Sequence, residues 1–253
     1  MTETISLEGK TAFISGASKG IGVAVADSLS KAGANLALTA RNAQELEQTA
    51  DNARANGVKV WTRTAEMADA GDVRALGQAT LEEFGGIDIL VNNAGIAQHQ
   101  PFLEIDIDVF DKVIDVNLRA PIILTQILVP GMIERGHGKI INLTSRGAIR
   151  AFPTGGVYSA SKGGLQLLTQ TMAVEFGPHG IQTNSVAPTV TMTSMGEAAW
   201  PASPRRDAKL ARIPAGRFAE PEEVANAVLF LSSPRSDFIN GVELPVDGGE
   251  GAG

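Results

Sequence analysis

The chain has no cysteine, three histidines, a single tyrosine and only 5% aromatic residues. Without cysteine there are no disulfides, no thiolate metal centre and no cysteine nucleophile. His99, His137 and His179 are scattered without ligand spacing, so no metal site is expected. Positive charge is also short: 21 lysines and arginines face 28 acids, a net charge of −7. That balance argues against nucleic acid or an anionic membrane as a partner. The first ten residues hold no apolar leader, and no hydrophobic run reaches the length of a membrane span. A cytoplasmic chain is the expectation.

Glycine is abundant instead, at 28 of 253 residues, as expected where tight strand-to-helix turns recur. Short apolar runs predict strands at 11–15, 35–39, 58–62, 87–91, 139–143, 181–187 and 242–246. Between them, helical spacing is read over 21–32, 43–56, 73–84, 106–135, 156–176 and 220–231. Strict alternation predicts an α/β fold: a doubly wound, Rossmann-type parallel sheet of about seven strands with helices on both faces. One domain spans 1–253, and its only irregular stretch, 189–215, is rich in Met, Pro and Ser and reads as a lid. The two long helices are apolar on more than one side, through Val113, Ile122, Ile123 and Leu128 in the first and Leu165, Leu167 and Val174 in the second. Burial on two sides predicts a symmetric interface between copies.

Where the first predicted strand turns into a helix the chain reads Gly16-Ala17-Ser18-Lys19-Gly20-Ile21-Gly22. Glycines there let backbone N–H groups and a helix N-terminus approach a pyrophosphate. The second strand ends in Thr39-Ala40-Arg41, with a small neutral residue where an NAD site usually carries an acid for the ribose 2′-OH. Arg41 and Lys19 can instead grip a 2′-phosphate, so NADP(H) is the expected cofactor.

The lone tyrosine, Tyr158, stands four residues before Lys162 and thirteen after Ser145. A phenol titrates at about 10, and an ammonium group on the same helical face would favour the phenolate. Ser145 and Tyr158 could both donate to a carbonyl oxygen. Pro121 follows Asn117 by four residues and has no N–H, so it cannot bond the Asn117 carbonyl within a helix. That carbonyl would be free to hold a water, although Asn117 also reads as a buried polar residue satisfied by backbone.

The glycine turn, Asn92-Asn93-Ala94-Gly95, Asn117, Ser145, Tyr158, Lys162 and Pro188 together resemble the short-chain dehydrogenase/reductase family over nearly the whole chain. The resemblance implies Tyr158 as acid/base, Lys162 on the nicotinamide ribose, Ser145 on the substrate carbonyl and Asn117 on a relay water. It implies cofactor contacts from Gly16, Ser18, Lys19, Gly20, Ile21, Gly22, Arg41, Met67, Asn92, Asn93, Ala94, Gly95, Tyr158, Lys162, Pro188, Val190 and Thr193. Glu66 stands where the family has an aspartate near adenine. The stretches 100–104, 116–120, 175–179 and 187–200 are similar to a tetrameric subgroup that reduces short ketoses and α-dicarbonyls with NADPH. On that likeness the substrate is a small carbonyl compound or polyol, and the chain forms a homotetramer. Substrate contacts are expected from Arg146, Met192, Met195 and Trp200, with Gln98 and His99 as further polar candidates. A 3-oxoacyl thioester is the alternative substrate, and a non-catalytic NADP-binding regulator the alternative class.

Overall fold

Seven strands form a single parallel sheet in the computed structural model, which describes residues 4–252. The ends of the expected domain, 1–3 and 253, lie outside the described residues. In chain order the strands are β1 (Thr11–Ser15), β2 (Asn35–Ala40), β3 (Val60–Thr64), β4 (Ile89–Asn92), β5 (Gly138–Leu143), β6 (Ile181–Pro188) and β7 (Glu243–Val246). Their spatial order is β3-β2-β1-β4-β5-β6-β7, so the winding reverses between β1 and β4. Ligands of such sheets lie beyond the carboxyl ends of the strands at that reversal. The glycine turn, Ser145, Tyr158 and Lys162 all lie at that edge.

The helices follow from local chemistry. α1 (Ile21–Lys31) opens from the glycine turn, and Asn42 and Asp69 cap α2 (Ala43–Arg54) and α3 (Ala70–Phe84) by accepting from Glu45 N and Asp72 N. α4 (Ile107–Ile114) runs into α5 (Ala120–Arg135), and α6 (Gly156–Phe176) is the longest single helix. Two short helices, α7 (Ser194–Ala199) and α8 (Pro204–Leu210), occupy the irregular stretch before α9 (Pro221–Ser232). Val25, Leu29, Leu46 and Val228 cover one face of the sheet, while Val73, Leu76, Leu124 and Leu128 cover the other.

Several sequence expectations need correction: β4 begins at Ile89, two residues late, and α3 at Ala70, three residues early, where Asp69 caps it. β3 begins two residues late, because Gly57 closes α2 at φ +82° and Lys59 N is held by Asn35 Oδ1 at 2.9 Å. The helix expected over 106–135 carries a π turn at Asp115–Arg119, where Ala120 N reaches back five residues to the Asp115 carbonyl. Pro121, with no N–H to give, lies at the start of the helix that resumes. Lastly, the continuous run Ile107–Arg135 is long and apolar enough to cross a membrane by length and composition, contrary to the expectation. Its Ile123, Leu124, Leu128 and Met132 are buried in the core on the α3 side of the sheet.

Candidate active site

A cavity of about 1200 Å³ runs along the carboxyl ends of the strands, from the glycine turn to the 189–215 segment. Gly16 and Gly20 adopt φ +68° and +54°, conformations that side chains with a Cβ rarely take. A Cβ on Gly16 would stand 2.9 Å from Ala94 Cα, and one on Gly20 would stand 2.7 Å from Thr193 Cγ2. Gly22 lies behind the turn, where a Cβ would overlap the Gly16 carbonyl. Asn93 Nδ2 clamps this turn by donating to Ser15 O at 2.9 Å and Gly16 O at 3.0 Å. Ser15 Oγ in turn accepts from Asn93 N and Ala94 N at 3.1 and 3.0 Å. The cradle is built without side chains in its floor, as a dinucleotide pyrophosphate requires, so the residues present fit such a group.

The adenosine end departs from expectation. Arg41 and Lys19 do line the cavity with Met67, but each already has a carboxylate partner. Lys19 Nζ is 2.8 Å from Glu45 Oε1, and Arg41 is 3.8 Å from Glu66 Oε2. Glu45 belongs to the first turn of α2, where the helix N-terminus favours an acid. The strand end itself is neutral, as read, but Glu45 and Glu66 from neighbouring segments stand beside both cations.

Ser145, Tyr158 and Lys162 share the middle of the cavity. Tyr158 and Lys162 lie one turn apart on α6, while Ser145 follows β5 and its Oγ accepts from Gly147 N at 3.0 Å. The Tyr158 phenol is pushed up by burial, and its hydrogen bond with Ser145 opposes that. The expected depression by Lys162 is not produced by the protein's own groups. Lys162 Nζ, 4% exposed, donates to the Leu143 carbonyl at 2.6 Å, and burial lowers its pKa to about 8. Gly95 leaves room for it, since a Cβ there would come within 3.2 Å of Lys162 Nζ.

A pH signature follows. The unfolded chain keeps the Lys162 proton up to about 10.5, whereas the folded one releases it near 8. Between those values the unfolded state binds more protons, so this group makes stability rise with pH. The burial penalty at neutral pH is about 3 kcal/mol. In urea unfolding, wild type should gain on Lys162→Met as pH rises from about 8 towards 10. A difference that stays flat over that range would contradict the assignment.

Asn117 does not line the cavity. It is fully buried, donates to Ile96 O and Ser161 Oγ at 2.9 and 3.0 Å, and accepts from Ile96 N at 2.9 Å. Its side chain is thus spent on the scaffold, as one of the two sequence readings had it. Asn92 is likewise buried away from the cavity and donates to Asn142 Oδ1 at 2.8 Å. Gly95, Ala94, Pro188, Val190 and Thr193 all line the cavity with Ser18 and Ile21.

On the far side, Met195 and Trp200 line the wall and Met192 does not. Thr191 pairs with Ala219, and Met192 N bonds Ala219 O at 2.8 Å. Thr191 and Thr193 line the cavity on either side of Met192. Arg146 lines the wall, yet its guanidinium is held by Asp247 at 2.9 Å and Glu243 at 3.4 Å. Gln98 is exposed outside the cavity, whereas His99 lines it and meets Phe152 edge-on at 5.6 Å.

The sequence reading overlooked several members. Ser161 Oγ donates to Tyr158 O at 2.7 Å, tying the Asn117 network to the tyrosine's own turn. Its place three residues after Tyr158 was the available signal. Ser15 and Glu45 were equally visible, one just before the glycines and the other three residues after a helix cap. Arg150, Arg205, Lys209, Arg212 and Glu250 carry no motif, and only folding brings them to the wall.

This constellation of glycine cradle, buried lysine, serine and single tyrosine agrees with the family comparison. A family profile described as enoyl-(acyl carrier protein) reductase matches residues 16–250. The chain belongs to the short-chain dehydrogenase/reductase family and is an oxidoreductase of that family. It is 43% identical to an L-xylulose reductase from Mesocricetus auratus, over 97% of this chain and 98% of that protein. A D-threitol dehydrogenase from Mycolicibacterium smegmatis is 39% identical over 96% of this chain and 93% of its own. Among solved structures, a gluconate 5-dehydrogenase from Burkholderia cenocepacia, in complex with NADP and tartrate, superposes with TM-score 0.92. It is 35% identical, over 98% of this chain and 97% of that one.

Proposed function

We propose that the chain is an NADPH-dependent reductase of a small ketose or dicarbonyl, and in reverse a polyol dehydrogenase. The observation that carries this is the placement of Ser145, Tyr158 and Lys162 in one cavity with the glycine cradle. Bound NADPH supplies a hydride to the carbonyl carbon. Ser145 and Tyr158 hold the carbonyl oxygen by hydrogen bonds as it gains negative charge, and Tyr158 delivers the proton. Lys162 holds the nicotinamide ribose and, once charged and drawn towards it, opposes the burial that raises the phenol. The Asn117 main-chain carbonyl, which Pro121 cannot bond, holds a water that returns the proton. The segment 189–215 closes over the substrate as a lid. Relatives that act on xylulose and threitol support the substrate class.

The cofactor preference is testable on the cations at the adenosine end. A 2′-phosphate would displace Glu45 and Glu66 from Lys19 and Arg41 and take up both charges. In Lys19→Ala/Arg41→Ala, kcat/KM for NADPH should fall by about tenfold to a hundredfold while NADH changes little. A wild-type enzyme that prefers NADH would overturn this part of the proposal.

The same reading includes a cytoplasmic homotetramer. Ile122 on α5 and Leu167 and Val174 on α6 are exposed apolar residues that a partner copy would cover. A second reading, 3-oxoacyl-thioester reduction, has one observation in its favour. Arg150 and Arg205 at the cavity are basic, as an acidic carrier protein would want.

A further inference from the structure

Nine lysines and arginines line the cavity against three carboxylates, in a chain whose net charge is −7. Their distribution is uneven. At the adenosine end two cations meet two carboxylates, and Lys112 and Lys162 account for two more. The other five, Arg146, Arg150, Arg205, Lys209 and Arg212, share their part of the lining with Glu250, the third lining carboxylate. They come from the segment after Ser145 and from the 189–215 segment, the two sides between which a substrate carbonyl would lie.

Arg146 is more than neutralised, by Asp247 and Glu243 together. Lys209 and Arg212 share Glu250, at 2.5 and 3.9 Å. Arg150 reaches only the Glu250 main-chain oxygen, at 3.2 Å. Arg205 lies 4.5 Å over the Trp200 ring and has no carboxylate partner among the described residues. Five cations against the carboxylates of Glu243, Asp247 and Glu250 leave an excess of two positive charges on this wall. His99 adds none to it: burial first, and the charge of Arg205 second, hold its imidazole below the ordinary value. A cleft lined by one sign of charge focuses its field and concentrates ligands of the other sign.

We infer that the substrate is an acid: a small hydroxyketone, or the alcohol it yields, whose carboxylate pairs with Arg205 and Arg212 while its carbonyl meets Ser145 and Tyr158. This rests on the reductase reading above. The Trp200 ring lies against one side of the Arg205 guanidinium, whose N–H groups have no hydrogen-bond partner among the described residues and can receive a carboxylate in two parallel hydrogen bonds. Glu250 already displays the ligand chemistry this wall accepts, since its oxygens take Lys209 Nζ and Thr189 Oγ1 at 2.5 Å. A neutral ketose would leave the excess charge unmatched.

The test compares matched ketones that differ only by a carboxylate in place of a hydroxymethyl group. The pairs are 5-keto-D-gluconate with L-sorbose, and acetoacetate with 4-hydroxy-2-butanone. The acid member of at least one pair should have a kcat/KM about tenfold or more above its neutral partner at low salt, and the advantage should shrink as salt is added. Arg205→Glu should cut that ratio by about tenfold or more, mainly through KM for the acid. Neutral members equal to or better than the acids would overturn the inference and leave the reductase reading standing. So would an acetoacetyl carrier protein preferred over every free acid. No turnover of these ketones or of diacetyl would defeat the reductase reading itself, and this inference with it.

Discussion

Tyr158→Phe should lower kcat for ketone reduction by about a hundredfold to ten-thousandfold, the usual contribution of a positioned general acid. NADPH affinity should stay within about threefold, because the ring is kept and one hydrogen bond is worth about 1 kcal/mol. The chain has one tyrosine, and its phenol is the one phenol in the cavity. Ser145 can still polarise a carbonyl in the variant, but it has no base behind it to replace the proton. Burial lifts the phenol above its ordinary pKa, so within the protein alone Tyr158 stays protonated through neutral pH. That is the state a reductase needs. Stopped-flow binding of NADPH alongside steady-state turnover separates the two effects. Turnover retained in Tyr158→Phe would remove the tyrosine from the chemistry.

Gly22→Ala should be the most damaging change that adds one carbon. In most helices this substitution stabilises by up to about 1 kcal/mol. Here the new Cβ would overlap the Gly16 carbonyl and stand 2.8 Å from Asn93 Nδ2. Overpacking costs about 1–3 kcal/mol, and each displaced Asn93 hydrogen bond adds about 1 kcal/mol. A net loss of about 2–4 kcal/mol therefore wins over the helix propensity. The melting temperature should drop by about 4–16 °C for a chain of this size. Because the displaced turn carries the N–H groups aimed at the pyrophosphate, NADPH affinity should weaken by about tenfold or more. Calorimetric titration and thermal melting measure both, and unchanged affinity would place the cofactor elsewhere.

Sequence patterning disclosed the architecture because a parallel sheet buries its strands on both faces and leaves short apolar runs between glycine turns. The limits of β1 and α6 were read as the structure has them, since a glycine turn bounds one and a glycine pair opens the other. The π turn at Asp115–Arg119 was not legible, because it depends on how Asn117 is pulled inward by Ile96 and Ser161. Ser145, Tyr158 and Lys162 were legible as spacing, whereas the direction of the Tyr158 shift was not. Burial is a property of the packed site, and it outweighs what helical spacing alone suggests. Lys19 and Arg41 stood out as cations, but their partners Glu45 and Glu66 come from other elements and meet them only in the fold. The basic wall around Glu250 was hidden for the same reason, in a chain that is acidic as a whole.

A turnover panel with NADPH and NADH tests most directly whether a carbonyl is reduced at Tyr158. The panel pairs L-xylulose, diacetyl and 5-keto-D-gluconate with an acetoacetyl thioester, following loss of reduced nicotinamide and appearance of alcohol. The expected result is NADPH-driven reduction of at least one small ketone, with kcat/KM about tenfold or more above that of the thioester. A thioester preferred over every small ketone, or bound NADPH that is never consumed, would contradict it.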